Sequence, residues 1–350
     1  MKRLILTRTR TFKAAIATSA VIAILMVAQG LFAQGLLLTG YADFELTAKN
    51  FGSKDGTNFS FDNHHFNLIG IGQISGNMFA AAEVEYEHSG SEVALEYGYL
   101  AYTGLNNLNI IAGKFIMPFG RFNKDLHPTW INKMIDRPLG FKEILPQTYS
   151  DAGIWLSGAI PTGNGARITY DVYAVNGLMG SDSSGIRHMR GNIDDNGGVD
   201  GNKALGGRIG LELAPQGFDI GASIYSGNYS DDPNNDLTLT MYGVDAAFRK
   251  NGFELRAEMV SASQDVSDGS WTKTGGYAQA SYLVGGKWEP VVRYSTRNMP
   301  GESKDNSRIS FGVSYYISAA AAFRINYHIN GEKSGSKDND VFVMQFTTNL

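Results

Sequence analysis

A hydrophobic period of two residues runs along most of this chain, in stretches of about ten residues, and it limits the fold more than any other feature. From Met78 to His88, Ala80, Ala82, Val84 and Tyr86 fall on one face, with Glu83, Glu85 and Glu87 on the other. From Phe253 onward, Phe253, Leu255, Ala257 and Met259 oppose Glu254, Arg256 and Glu258. Successive side chains of a strand point to opposite faces, so such segments read as β-strands with one apolar and one polar side. The helical period appears nowhere for long; Ala319 to Ala322 is helix-prone, but its flanks read as strands.

With breaks placed at clusters of Gly, Asn, Asp and Pro, sixteen strands are expected. They cover about 36–48, 60–74, 77–88, 91–103, 107–117, 150–160, 165–176, 203–214, 217–228, 237–250, 252–263, 271–284, 287–298, 306–317, 320–331 and 338–350. Connections after even-numbered strands are tight, as at Ser75-Gly76, Pro215-Gln216 and Gly285-Gly286. Those after odd-numbered strands are mostly longer and more polar, and two are very long, 118–149 and 177–202. Short turns on one rim and long loops on the other are the layout of an all-β, 16-stranded antiparallel transmembrane β-barrel with short periplasmic turns and long external loops. A soluble sandwich has no reason to sort its loops by parity. Pro290 is expected at a bulge, since proline cannot donate to a ladder and a closed barrel has no edge.

The first thirteen residues hold Lys2, Arg3, Arg8, Arg10 and Lys13 and no acid, and an apolar run follows from Ala14 to Val27. Small residues near Gly30 and Ala33 complete the pattern of a secretory signal peptide over 1–33, with the barrel over 34–350. Residues 14–33 are just long enough to span a bilayer as a helix, but Thr18, Ser19, Gln29 and Gly30 break the hydrophobicity. Without those five basic residues the chain has 25 basic and 34 acidic side chains, a net charge of −9, which argues against nucleic acid as a partner. Cysteine is absent, so disulfides, thiolate metal sites and Cys nucleophiles are excluded.

In a barrel with charges on alternate residues, the polar face lines a lumen and the apolar face meets outer-membrane lipid. Trp155, Trp271, Trp288, Tyr315, Tyr316, Tyr327 and Phe346, near strand ends, are expected in the interface girdles. Glu83, Glu85, Glu87, Glu92 and Glu96 form an expected acidic lumen wall, while Arg208, Arg256, Arg293, Arg297 and Arg324 of later strands face the same lumen. In the 118–149 region with its flanks, Lys114, Arg121, Lys124, Lys133, Arg137 and Lys142 stand against Asp125, Asp136 and Glu143, a local surplus of three positive charges. Acid on one side and base on the other would set a field across the pore, and a cationic constriction favours anions.

Other constellations are weaker. Asp182, Asp194, Asp195, Asn196 and Asp200 lie among glycines without the spacing of an EF-hand. His64 and His65, adjacent on a strand, are expected on opposite faces, which forbids joint ligation, and His127 stands alone. No G-x-S-x-G elbow, phosphate-binding loop or helical metal-ligand pair occurs, so neither catalysis nor a cofactor or metal is expected.

The run Gly113-Lys114-Phe115-Ile116-Met117-Pro118-Phe119-Gly120-Arg121, with His127-Pro128, Arg137-Pro138, Leu145-Pro146 and Asp151-Ala152-Gly153-Ile154, resembles the phosphate-selective porin family. The resemblance covers strand five, the loop after it and strand six. It implies a homotrimeric 16-stranded barrel of the bacterial outer membrane whose third external loop, here 118–149, folds inward as a constriction. It implies passive diffusion of small hydrophilic or anionic solutes. No ladder of basic residues runs along the wall, and the chain ends in Leu350 rather than an aromatic residue. The first departure leaves phosphate selectivity without support; the second is minor, because Phe346 keeps an aromatic residue near the end. The alternative is a barrel plugged by its long loops, serving as a surface adhesin or envelope anchor.

Overall fold

The computed structural model describes residues 35–350, except 52, 54–55, 127, 148, 182–184, 192–202, 231–235, 301–305 and 333–338. The segment 1–33, His127, and the acidic side chains Asp182, Asp194, Asp195 and Asp200 with Asn196 lie outside the described residues.

Sixteen antiparallel strands close on themselves. They are β1 (Leu36–Lys49), β2 (Asn58–Asp62 and His65–Ser75, one strand interrupted), β3 (Met78–Glu87), β4 (Glu92–Leu105), β5 (Leu108–Ile116), β6 (Ser150–Gly163), β7 (Ala166–Val175) and β8 (Ala204–Leu213). The second half comprises β9 (Phe218–Asn228), β10 (Thr238–Lys250), β11 (Phe253–Val266), β12 (Gly269–Tyr282), β13 (Trp288–Asn298), β14 (Asn306–Ser318), β15 (Ala321–Glu332) and β16 (Val341–Asn349). Each strand pairs with its sequence neighbours, and β1 pairs with β16 from Tyr41↔Asn349 to Lys49↔Val341. Closure leaves no edge, so each strand has a hydrogen-bonding neighbour on both sides, as a spanning β-structure needs.

The tight rim follows from turn chemistry. Asn107, Asn164 and Asn251 sit in the left-handed region at φ 57°, 52° and 52°, and Gly165 and Gly252 continue two of these turns at φ 75° and 81°. Asn and Gly are the residues that tolerate this backbone, whose twist matches the flanking strands.

The outward face carries exposed Ile209, Tyr242, Val244, Met259, Val292 and Phe311, while Arg208, Asp245, Glu258 and Arg293, one residue away from members of that set, are buried inside. Of the aromatics expected at the lipid interface, Trp288 and Phe346 face outward. Three do not. Trp155 donates its indole N–H to buried Asp171 at 3.0 Å, Tyr316 donates to Glu289, and Trp271 pairs opposite buried Gln264.

Pro290 occupies no bulge. Its register with β14 runs on without a shift, and the ladder with β12 starts only at Val291, so its missing N–H breaks no bond. Bulges occur elsewhere. Between the pairs Glu45↔Asp62 and Ala42↔Phe66, three residues of β2 (Asn63, His64, His65) face two of β1 (Asp43, Phe44). Between Glu83↔Tyr97 and Val84↔Leu95, Glu96 is the extra residue of β4. An extra residue shifts the alternation by one position, which re-aims side chains locally.

Candidate functional site

The loop after β5 lies inside the barrel. It starts with Met117-Pro118-Phe119, makes a short helix α1 (Gly120–Leu126), crosses the lumen through Thr129 and Lys133, and makes a second turn of helix α2 (Leu139–Glu143) before β6. Phe119, Phe122, Leu126, Phe141, Ile144 and Tyr149 join Tyr173, Tyr225, Met241 and Tyr277 of the wall in one buried apolar cluster. The loop is thus packed as a protein core is packed, with its apolar side on β7 to β12. This core is invisible to a reading that assigns one polar face to the whole inner wall.

Polar contacts fix its course. Glu258 accepts the N–H groups of Arg121 and Phe122 at 3.1 and 3.0 Å, satisfying orphan donors at the start of α1. Gly120, at φ 63°, leaves that carboxylate room, since a Cβ there would fall 1.8 Å from Glu258 Oε1. Arg121 pairs with Asp219 and Asp125, and Lys124 pairs with Asp171 at 2.6 Å. Thr129 donates to Asp43 of β1 at 2.7 Å. Lys133 reaches Glu254 at 3.0 Å and also Glu289. At α2 the loop rests on bare backbone, because a Cβ on Gly140 would lie 2.6 Å from Gly275 Cα of β12.

The five arginines read as a basic wall do face inward, but they do not form one. Arg208 makes a two-pronged pair with Asp245 at 2.9 and 2.6 Å, and Arg256 pairs with Glu254. Arg293 donates to the Asp136 carbonyl at 2.8 Å, Arg324 to the Thr129 carbonyl at 2.9 Å, and Arg297 meets Glu143 at 2.9 Å. They hold the loop or neutralise neighbours. Lys114 is a further correction: it belongs to β5, because that strand runs through it to Ile116, and its amine donates to the Leu95 carbonyl.

Three of the six basic residues of the loop reading, Arg121, Lys124 and Lys133, are therefore paired with wall carboxylates. Arg137 and Lys142 line a cavity left between the loop and β2–β3, together with Arg187, Asp136, Glu85, Glu87, His64 and His65. A neighbouring cavity holds Glu85, Glu87 and Glu92 opposite Gln147 and Arg190. Glu83 and Glu96 are buried in the same acidic wall. Arg187 and Arg190 went unread in the sequence. They arrive because the described residues of this loop, 177–181 and 185–191, turn inward: Leu178–Met179 pairs with Arg190–Gly191, Ile186 and Met189 are buried, and Arg187 donates to the Lys142 carbonyl at 2.6 Å. Isolated Ile186 and Met189 in a polar loop were the available signal.

In the loop, burial pushes the Asp136 carboxyl up, but the charges of Lys142, His328, Arg308 and Arg293 outweigh it and hold it well below the usual carboxylate range. Burial lowers the Arg137 guanidinium, which the charges of Glu96 and Glu85 partly restore. The arrangement can impose a field across water, with Glu85 and Glu87 on one side and Arg137, Lys142 and Arg187 on the other.

The sequence profile of the Gram-negative porin family matches residues 17–330. An "Uncharacterized protein" of Aquifex aeolicus (strain VF5) is 24% identical over 314 residues, which cover 76% of this chain and 69% of that protein. Among solved structures, the anion-selective porin from Comamonas acidovorans is similar with a TM-score of 0.65 at 12% identity, covering 90% of this chain and 99% of that one. The Salmonella typhi OmpF complex with daunomycin gives 0.64 at 14% identity, covering 90% and 97%. At such identities the structures speak for the fold alone.

Proposed function

Because the chain belongs to the Gram-negative porin family, an outer-membrane channel, we propose that it admits small hydrophilic solutes by passive diffusion, with the 118–149 loop as its constriction. The observation that carries this reading is the loop itself, seated on the inner wall by its own apolar core and leaving cavities bounded by charge on both sides. Solutes that keep hydrogen bonds and dipoles engage such a field, whereas apolar solutes must strip ordered water.

The loop's positive surplus does not by itself make the pore anion-selective, because Arg121, Lys124 and Lys133 spend their charge on Asp219, Asp171 and Glu254. Around the cavity Arg137, Lys142 and Arg187 are balanced by Glu85, Glu87 and Asp136. A small preference of either sign, set by salt, is the reading this balance supports. The homotrimer implied by the resemblance is part of the proposal.

Single-channel conductance of the refolded protein in a planar bilayer, with the reversal potential under a salt gradient, tests it. Stable steps with a small reversal potential are expected. A heat-modifiable, folded barrel without conductance would replace the channel reading with the plugged, surface-binding one.

A further inference from the structure

The bulge of β2 does what regular alternation forbids: it turns His64 and His65 to the same side. Their rings stack at 4.1 Å with an angle of 9°, whereas adjacent residues of an unbroken strand point apart. Glu87, paired opposite His65 across the ladder, stands beside them. One ligand atom from each of the three lies within 4.8 Å of the others.

We propose that this trio binds a divalent transition-metal ion of the zinc type in the lumen, through His64, His65 and the Glu87 carboxylate. Each imidazole is already held as a metal ligand would be. His65 Nδ1 contacts Asp43 Oδ2 at 3.0 Å, and His64 Nδ1 contacts Glu45 Oε2 at 3.2 Å. A carboxylate only accepts, so each Nδ1 carries a proton and Nε2 is the atom left for an ion, the arrangement that carboxylate–histidine–metal triads use. His65 Nε2 stands 3.6 Å from Glu87 Oε1 and 3.8 Å from Glu85 Oε1. Two ligands of a tetrahedral ion with bonds of 2.0–2.1 Å are separated by roughly 3.4 Å, close to the His65–Glu87 spacing, and the His64 ring must turn out of its stack on His65 for the ion to lie in both ring planes.

The donor set selects the ion. Two imidazoles and a carboxylate suit Zn²⁺, Ni²⁺ or Cu²⁺, whereas Ca²⁺ and Mg²⁺ want oxygen. Charge is compensated locally, since Asp43, Glu45 and Glu85 stand beside the two imidazoles. Bound there, the ion would cancel the acidic wall and leave the loop cations to dominate, moving selectivity toward anions. The inference goes beyond the diffusion reading and does not need it, because binding is measurable in a barrel that does not conduct.

The decisive experiment is calorimetric titration of the chelator-stripped, detergent-folded full chain with Zn²⁺. A single ion per chain is expected, lost in His65→Ala and weakened about 10- to 100-fold in Glu45→Gln, which keeps the shape of the group that orients His64 and accepts from Gln345 while removing its charge. Heat-modifiability of each variant verifies that it is folded, and Co²⁺ bound to the unaltered chain should give the absorption of a tetrahedral N/O site. In a bilayer, Zn²⁺ should shift the reversal potential toward anions in the unaltered chain and not in His65→Ala. Absence of binding by the unaltered chain would overturn the proposal and leave the imidazoles as hydrogen-bond partners of Asp43 and Glu45. Equal binding by a His64→Ala, His65→Ala double variant would overturn it as well.

Discussion

At the scale of single residues, a charge counts by what it touches rather than by where it falls in the sequence. Arg137 and Lys142 border the cavity, while Lys124 is neutralised by Asp171. Replacing Arg137 and Lys142 with Glu should therefore move the reversal potential clearly toward cations, whereas Lys124→Gln should leave its sign unchanged. An equal shift from both would mean that the field is set by total loop charge. Glu258 makes a second case. Truncation to Ala orphans two N–H donors at the buried start of α1, at about 1–3 kcal/mol each. Amide exchange across residues 120–126 should quicken by about tenfold or more, with the strands unchanged. Residue identities showed in the sequence which charges exist. The partners did not, because Asp171, Asp219 and Glu254 lie 47 to well over 100 positions from the cations they meet.

At the scale of elements, strands were legible and their irregularities were not. The period of two located all sixteen, and short breaks such as Ser75-Gly76, Pro215-Gln216 and Gly285-Gly286 located the tight rim, since both signals are local. A bulge leaves no local mark: nothing in Asn63-His64-His65 announces that three residues will face two, nor that Glu96 will be extra. The inward loop was legible only by resemblance, because its seat is made of contacts such as Gly140 on Gly275. That contact yields a prediction. Gly275→Val suits a strand, but its side chain needs the space held by Gly140 and Ile144, so α2 should be pushed into the lumen and single-channel conductance should fall. Asp136 ties the same loop to Arg308 at 3.0 Å. Its folded pKa is depressed, so its contribution is complete above the ordinary carboxyl value of 3.8 and is lost as pH falls through the lower folded value. The part of the conductance that depends on the Asp136–Arg308 tie should persist from neutral pH down to about 4 and be lost only in stronger acid, and Asp136→Asn should remove that acid transition.

At the scale of the whole molecule, the barrel inverts the usual relation between burial and polarity. Arg293 and Arg324 are 2% and 1% exposed, whereas Val244 and Met259 are 55% and 62% exposed. A water-soluble protein so arranged would display a continuous apolar girdle, which association would cover. In a bilayer the same surface is solvated by acyl chains, and the charged interior is the side that meets water. The two environments give opposite forecasts for one substitution. Val244 sits midway along β10, Thr238–Lys250, pointing outward. A lysine there would be harmless or helpful at an aqueous surface. In the hydrocarbon layer it should cost about 2–4 kcal/mol, the penalty for a cation near the midplane of a spanning barrel. Placing the cation at Gly243, one residue along, puts it inside against Phe119, where steric crowding rather than desolvation sets the cost. Reversible unfolding in phospholipid vesicles would measure the first penalty directly. It should shrink when the lysine is moved along the outward face to Tyr242 and then to either end of the strand, where the side chain reaches the interface. A penalty independent of depth would contradict a lipid-facing exterior, because only a membrane makes the cost of a charge depend on its height along a strand.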